Sequence, residues 1–315
     1  MIPGALTRPP GRVVAVVVTY DRLALLRLSL AAVLGQSRPV DAVVVVDNAS
    51  TDGSADAVRR EFPGVDLLAL SRNTGGAGGF AAGLQRALEA HGADHVWLLD
   101  DDTVPRADAL GHLLTAWSSR PGDAPALVAS RVVWSDGRDH PMNTPRPSPF
   151  ATAADRTAAA EIGCVPVRSA SFVSVLVAAD AVRAVGPPVA DYFLWNDDFE
   201  FTTRLLRDRP GLLCPRSVVE HHTRLFGGTE VDPGERFYYE VRNKAWLFTR
   251  SPGLRPVERA VYAGSSLARW GRTLSASQAR GTLTRAARRG LADGLRAGPR
   301  PNDVVLAGAG PEDRP

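Results

Sequence analysis

Val96-Trp97-Leu98-Leu99-Asp100-Asp101-Asp102 decides how the rest of this chain is read. An apolar run of this length fits a short buried strand, and it ends abruptly in three carboxylates, with Thr103 and Val104 leading to Pro105. Like charges at one strand end raise each other's pKa values unless a cation sits among them, so a divalent metal is the simplest way to stabilise the cluster. Oxygen ligands imply a hard ion. Mg²⁺ or Mn²⁺ binds through one or two carboxylates and completes its shell with substrate phosphates, which makes a nucleotide diphosphate the natural third party. The plain alternative is a solvated acidic turn, and a hydrophobic strand feeding directly into the triplet argues against it. In an open α/β sheet, ligands bind beyond the carboxyl ends of the strands, where these residues lie.

The flanking sequence predicts that sheet. Arg12 to Thr19 is a β-branched run of the kind buried on both faces of a parallel sheet, and Tyr20-Asp21-Arg22 turns into a helix from Leu23 to Leu34. Ala42 to Val46 is a second strand ending in the polar turn Asp47 to Gly53, followed by a helix from Ser54 to Glu61. Strand and helix alternate with short connections, which means βαβ units. Asp47 is placed to meet a ribose or base edge, although turn chemistry and helix capping explain Asp47 and Asp52 equally simply. Val65 to Leu70 is a third strand. Behind it, Asn73-Thr74-Gly75-Gly76-Ala77-Gly78-Gly79 reads as a glycine loop that lets backbone approach an anion, with a helix from Phe80 to Ala90. His91, His95 and Trp97 are assigned to packing.

Beyond the central strand, Ala107 to Trp117 is helical, Leu127 to Trp134 and Ser171 to Ala178 are strands, and Ser135 to Ala159 reads as an ordered flap. Tyr192 to Phe201 then sets aromatic residues around Asp197, Asp198 and Glu200 at the start of a helix, where the dipole favours negative charge. A carboxylate walled by aromatic rings has a raised pKa and suits a general base. Ser217 to Thr223 adds His221 and His222, either of which can complete a metal shell. Arg242, Asn243 and Lys244 cluster on the helix that begins at Phe237, ready for phosphate oxygens or a sugar hydroxyl.

The 315 residues, 44% apolar and 23% charged, describe an ordinary globular protein with no run of membrane-spanning length. Met1 to Gly11 lacks the apolar segment of a secretory signal. Two cysteines, Cys164 and Cys214, imply a reducing compartment with no disulfide framework and no zinc pair. Of the 37 basic residues only Lys244 is a lysine. Between Arg250 and Arg300 eleven arginines face only Glu258 and Asp293, so a basic helical segment follows an acidic body and points to an anionic surface as partner.

VVVTYDR, VVDNASTDGS, NTGGAGGF, WLLDDDTV, FLWNDDFEF, EHHT and FYYEVRN occur in the order found in GT-A glycosyltransferases of family 2, which the chain resembles from about Val13 to Phe248. The resemblance implies an α/β GT-A fold, a Rossmann-like, mostly parallel central sheet flanked by helices, with a helical C-terminal appendage. It divides the chain into a GT-A domain over 1–248, a basic helical region over 249–297 and a disordered tail over 298–315. It implies Mn²⁺ or Mg²⁺ on Asp100, Asp102 and His221, and a nucleotide on Thr19, Tyr20, Asp47, Asn48, Asn73, Gly75, Gly76, Asp100 and Arg242. Asp198 is the implied base toward an acceptor hydroxyl, with Asp197, Trp195, Glu200 and Asp101 around the donor or acceptor sugar. The glycine loop, acidic cluster and FYYEVRN segment most resemble bacterial galactofuranosyltransferases. These imply an inverting transfer from UDP-galactofuranose to a lipid-linked cell-envelope glycan, in the cytoplasm or at the inner face of the membrane. Rhamnosyltransferases using dTDP-rhamnose share nearly the whole pattern. The chain departs in lacking the large N-terminal domain of the long polymerising enzymes, which suggests an initiating or single-addition enzyme, and in having Glu220 where an aromatic residue often precedes the His.

Three rivals remain at this level. Asp100-x-Asp102 after a strand also suits an aspartyl-phosphate phosphatase, but the triplet does not end the first strand and Lys244 lies downstream of the later acidic pair. A nucleotidyltransferase shares metal and fold. A basic-tailed nucleic-acid binder is disfavoured because its arginines lack interleaved aromatic residues, so no nucleic-acid partner is expected.

Overall fold

The computed structural model describes residues 11–310 apart from 142, 224, 225 and 227–231. Its first half alternates strand and helix: β1 (Val13–Thr19), α1 (Leu23–Leu34), β2 (Ala42–Asp47), α2 (Ser54–Glu61), β3 (Asp66–Ala69), α3 (Gly75–Glu89) and β4 (His95–Asp100). The middle contains β5 (Thr103–Pro105), α4 (Ala109–Ser119), β6 (Leu127–Trp134), β7 (Arg146–Pro147), α5 (Ala153–Glu161), β8 (Val165–Ser169), β9 (Ser174–Ala178), α6 (Ala179–Val185), α7 (Asp197–Leu205) and β10 (Gly211–His221). Helices α8 (Phe237–Thr249), α9 (Pro256–Ala276), α10 (Arg280–Arg296) and α11 (Asn302–Leu306) follow.

The sheet runs β3-β2-β1-β4-β9-β6-β10-β8-β7, with β5 paired to β10. It is parallel from β3 through β4, turns antiparallel at β9, and has β6 and β10 parallel again. Every residue of β1 is buried because the sheet is covered twice. Val14, Val16 and Val18 pack under Phe80 and Leu84 of α3, with Phe201 and Leu205 of α7 on the same layer. Val13, Ala15 and Val17 face Leu26 and Leu30 of α1 and Leu110 and Leu113 of α4. Each such fully buried aliphatic side chain contributes about 1.5–3 kcal/mol. Cys164 and Cys214 are both buried and free.

The glycine loop is mostly helix. α3 starts at Gly75 rather than Phe80, and its glycines serve close packing on the sheet. A Cβ on Gly79 would lie 2.5 Å from Val18, and one on Gly83 would lie 2.5 Å from Val16 and 2.7 Å from Val46. Residues 135–159 likewise hold more structure than their polar composition suggested. The Thr152–Asp155 capping box starts α5, which buries Ala159 against the sheet.

The C-terminal helices extend the site-bearing layer. Phe237 and Val241 of α8 pack on Leu283 and Ala286 of α10, and Gly290 and Gly294 let the two backbones meet. Residues 298–310 correct the expected disordered tail. Val305 is buried beside Ala81, Arg72 donates to its carbonyl, Ser71 donates to the Gly308 carbonyl at 2.7 Å, and Arg300 pairs with Asp191 at 2.6 Å. Polar composition concealed a segment held by a few specific bonds, and residues 311–315 lie outside the described chain, as do residues 1–10 on which the signal-peptide expectation rested. Among the described residues no helix is long and apolar enough to cross a membrane.

Candidate active site

Strand ends build the first half of the site. β4 delivers Asp100 beside β1, in register with Val18, and the chain then turns through Asp101 and Asp102 into β5. β5 pairs antiparallel with β10, Thr103 opposite His221, and His222 N–H donates to the Asp102 carbonyl at 2.9 Å. That pairing sets an imidazole against the carboxylates. One ligand atom from each of Asp100, Asp102 and His221 lies within 4.8 Å of the others. His222 instead has Nε2 3.7 Å from Glu220, so the structure selects His221 from the pair.

The residues fit a divalent ion. Asp102 Oδ1 is buried without a hydrogen bond although His221 Nε2 is only 3.0 Å away. Two close atoms that do not align as donor and acceptor suit two ligands of one ion. Asn143 Oδ1 lies 2.9 Å from His221 Nδ1 and takes its proton-bearing edge, which leaves Nε2 with the lone pair a metal needs. Two carboxylates and an imidazole match Mn²⁺ better than Mg²⁺.

Charge in this cluster is already partly answered. Arg22, at the start of α1, reaches Asp102 Oδ2 at 2.5 Å and Asp101 Oδ1 at 3.4 Å. Burial and the neighbouring Asp102 and Asp101 push Asp100 well up, and burial and Asp102 push Asp101 to about 6. Asp102 goes the other way: burial opposes its ionisation, but a proton on His221 Nε2 and the Arg22 guanidinium hold it below the usual carboxylate range, and an ion would take that proton's place.

Several expected nucleotide contacts are occupied by the protein itself. Thr19 Oγ1 donates to Asp101 at 2.8 Å and Tyr20 N–H at 3.3 Å, so Asp101 ties the end of β1 rather than reaching toward a sugar. Asn48 accepts from Thr74 N–H at 2.8 Å and donates to the Gly75 carbonyl at 2.8 Å, while Asn73 accepts from Gly75 N–H at 2.7 Å. These bonds knit the ends of β2 and β3 together. Gly75 has φ +72° and its Cβ would strike the Phe193 carbonyl, whereas Gly76 faces open space. Ala77 N–H already donates to that carbonyl at 3.1 Å, so the first turn of α3 is not a free anion cradle. Asp47 is buried, with Ser50 N–H at 3.3 Å, and burial raises its pKa. Asp52 is a cap, accepting from Leu23 N–H at 2.8 Å and from Ser54.

The second half of the site hangs on a strained turn. Phe193, Trp195 and Asn196 have φ of 63°, 66° and 67°, a conformation non-glycine residues avoid. Asn243 of α8 holds it: its amide donates to the carbonyls of Tyr192, Leu194 and Trp195 at 2.8–2.9 Å. Arg242, expected at the nucleotide, is buried in the same brace, donating to the Asp191 carbonyl at 2.7 Å with its guanidinium 4.2 Å from the Trp246 ring centroid. α7 then separates the three acids. Asp197 and Glu200, a helical turn apart, face inward; Glu200 is consumed by Arg204 at 2.8 Å and Ser251 at 2.8 Å, which corrects its expected sugar contact. Burial and then Asp198 push Asp197 to about 8. Asp198 points into a cavity of about 600 Å³, lined also by Trp195, Arg146, Lys244, Arg269 and Trp270. Burial raises its pKa, against the Phe199 N–H at 2.6 Å and the charge of Lys244. Arg22, Asn143, Arg146 and the α9 residues were not found from sequence; only the position of Arg22 in the first turn gave a local signal.

The model of the family described as "Glycosyl transferase family 2" matches residues 14–174. A galactofuranosyltransferase, GlfT1, of Mycolicibacterium smegmatis is 33% identical over 261 residues, 77% of this chain and 84% of that protein. GlfT1 of Mycobacterium tuberculosis is 32% identical over 273 residues, with the same coverage. Among solved structures, residues 1–349 of Staphylococcus aureus TarS in complex with UDP-GlcNAc superpose with a TM-score of 0.59 at 17% identity, covering 93% of this chain and 83% of that one. A mannosyltransferase of Pyrobaculum calidifontis in complex with GDP-Man and Mn²⁺ gives 0.52 at 22% identity, covering 94% and 79%. At these identities the structural likenesses speak to fold.

Proposed function

This chain belongs to glycosyl transferase family 2, and from that membership we propose that it transfers galactofuranose from UDP-galactofuranose, with inversion, to a hydroxyl of a lipid-linked cell-envelope glycan. That it is a glycosyltransferase follows from the family; the donor, stereochemistry and acceptor are the proposed part. The observation that carries the reading is the division of labour between the two acidic clusters, one gathered with His221 and the other opening Asp198 into a cavity.

Asp100, Asp102 and His221 would hold a divalent ion, Mn²⁺ by their donor set, and it would supply positive charge to the departing diphosphate. Asp47 takes the base or ribose from the end of β2. Asp198 accepts the proton of the acceptor hydroxyl, whose oxygen forms the bond to the anomeric carbon from the face opposite the diphosphate as that C–O bond breaks. One displacement inverts the centre without a covalent enzyme intermediate. Trp195 offers its half-exposed ring as a sugar platform.

Membrane contact belongs to the same reading. α9 buries only Glu258 and Ser266 of its 21 residues, exposes Val257, Val261 and Leu267, and sits among exposed arginines including Arg255 and Arg272. An apolar stripe with a basic border suits an anionic inner leaflet, and the same helix lends Arg269 and Trp270 to the Asp198 cavity. Co-sedimentation with anionic but not zwitterionic vesicles is the expected outcome.

Donor specificity is tested by measuring transfer and hydrolysis of UDP-galactofuranose, dTDP-rhamnose, UDP-glucose and UDP-galactose with and without Mn²⁺. Preference for UDP-galactofuranose supports the proposal. Preference for dTDP-rhamnose replaces the sugar and leaves the mechanism.

A further inference from the structure

Thirty-six of the 37 basic residues are arginine, and the single lysine stands in the acceptor cavity. Lys244 is only 8% exposed, on α8 one turn beyond Glu240, and its Nζ lies 5.7 Å from the Phe199 ring centroid and 5.9 Å from that of Phe248. A chain that uses arginine everywhere else has here a compact cation on a flexible stem, able to lose its proton when buried, where a guanidinium would demand several hydrogen-bond partners and stay charged.

We infer that Lys244 is a positioning residue for the acceptor step: facing the same cavity as Asp198, its ammonium keeps that carboxylate charged after the acceptor has displaced water. The inference rests on Asp198 being the base. Its physical ground is desolvation. A buried carboxylate loses its ionised form as water leaves, and Asp198 is already raised before any acceptor is present although the Phe199 N–H, Lys244 and Arg146 all oppose that rise. A neighbouring cation that also loses water strengthens its hold on the carboxylate as the dielectric falls.

The charged groups facing Lys244 are Glu240 from its own helix, Asp198 from α7, Arg269 from α9 and Arg146 from β7. Lys244 is lowered to about 8, chiefly by burial and also by the two arginines, with Glu240 and Asp198 opposing. Activity rises with pH as Asp198 ionises, and Lys244, charged below about pH 8, keeps that acid limb lower than it would otherwise lie.

The experiment is the pH dependence of acceptor kcat/KM for the full chain with Mn²⁺, in the wild type and in Lys244→Arg, Lys244→Met, Glu240→Gln and Asp198→Asn. Lys244→Arg, which keeps the charge, should leave the acid limb where it stands in the wild type. Lys244→Met should move the acid limb up by about one pH unit, an about tenfold loss on that limb. Glu240→Gln leaves Lys244 in place and removes the carboxylate that competes with Asp198 for its ammonium, so it should move the acid limb down; this variant carries the test if the lysine substitutions do not fold. An acid limb that stays in place in Lys244→Met overturns the inference, as does an unmoved limb in Glu240→Gln. Asp198→Asn separates the two failures: retained activity there sinks the base assignment itself, whereas an inactive Asp198→Asn with unshifted lysine variants sinks only the role of Lys244.

Discussion

The acidic clusters at 100–102 and 197–200 look alike as sequence, three carboxylates each beside aromatic or apolar residues, and they have different fates. At the end of β4 the chain turns sharply, and two of the three acids stay together with His221 while Asp101 anchors the end of β1. At the start of α7 the helical rotation parts them: Asp197 and Glu200 share the buried face and Asp198 alone opens to the cavity. A strand end concentrates carboxylates and a helix start sorts them. The first arrangement suits an ion and the second a single base.

The largest expected effect comes from the sorted cluster. Asp198→Asn should lower transfer by about 10²–10⁴-fold, the worth of a positioned base, while UDP binding measured by calorimetry stays within a few-fold of wild type. Loss of both together would merge the two clusters into one function. Glu200→Ala, in the same cluster, should act on stability: removing one partner of a buried pair leaves Arg204 uncompensated, and denaturant unfolding should show a loss of about 3–5 kcal/mol. A stable but inactive Glu200→Ala would return that residue to the sugar site.

On the metal side, Asn143→Ala frees the His221 ring, and Mn²⁺ affinity should fall by about 10–100-fold with little change in melting temperature. Unchanged affinity would remove Asn143 from the centre. The smallest effect belongs to Arg300→Ala. Its guanidinium is 64% exposed, and the buried Asp191 carboxylate keeps the Arg300 backbone N–H at 2.8 Å, so the expected loss is about 1 kcal/mol by thermal unfolding.

What could be read without coordinates follows the range over which each signal acts. β1, β2 and β4 were legible because double burial leaves continuous apolar runs, and the placement of Asp100 and Asp102 beside His221 and of Asp198 at the cavity because these residues sit at element ends. The pairing of Glu200 with Arg204 was also available, as an i,i+4 spacing on a helix whose start was recognised. Asn48, Asn73 and Arg242 were misplaced for a common reason: a polar side chain in a turn or motif satisfies backbone as readily as it meets ligand, and only coordinates show which. Asn143, Arg146 and Arg269 reach the site across the fold from residues 135–159 and α9, contacts that no local pattern encodes. The glycines of α3 misled because close packing and anion binding both require a missing Cβ.

The most direct test of the divided site is a calorimetric titration of UDP with and without Mn²⁺ into Asp102→Ala and Asp198→Asn, alongside the wild type. The expected result is that Asp102→Ala loses Mn²⁺-dependent binding and Asp198→Asn keeps it. Mn²⁺-dependent binding that survives in Asp102→Ala, or disappears in Asp198→Asn, would contradict the account.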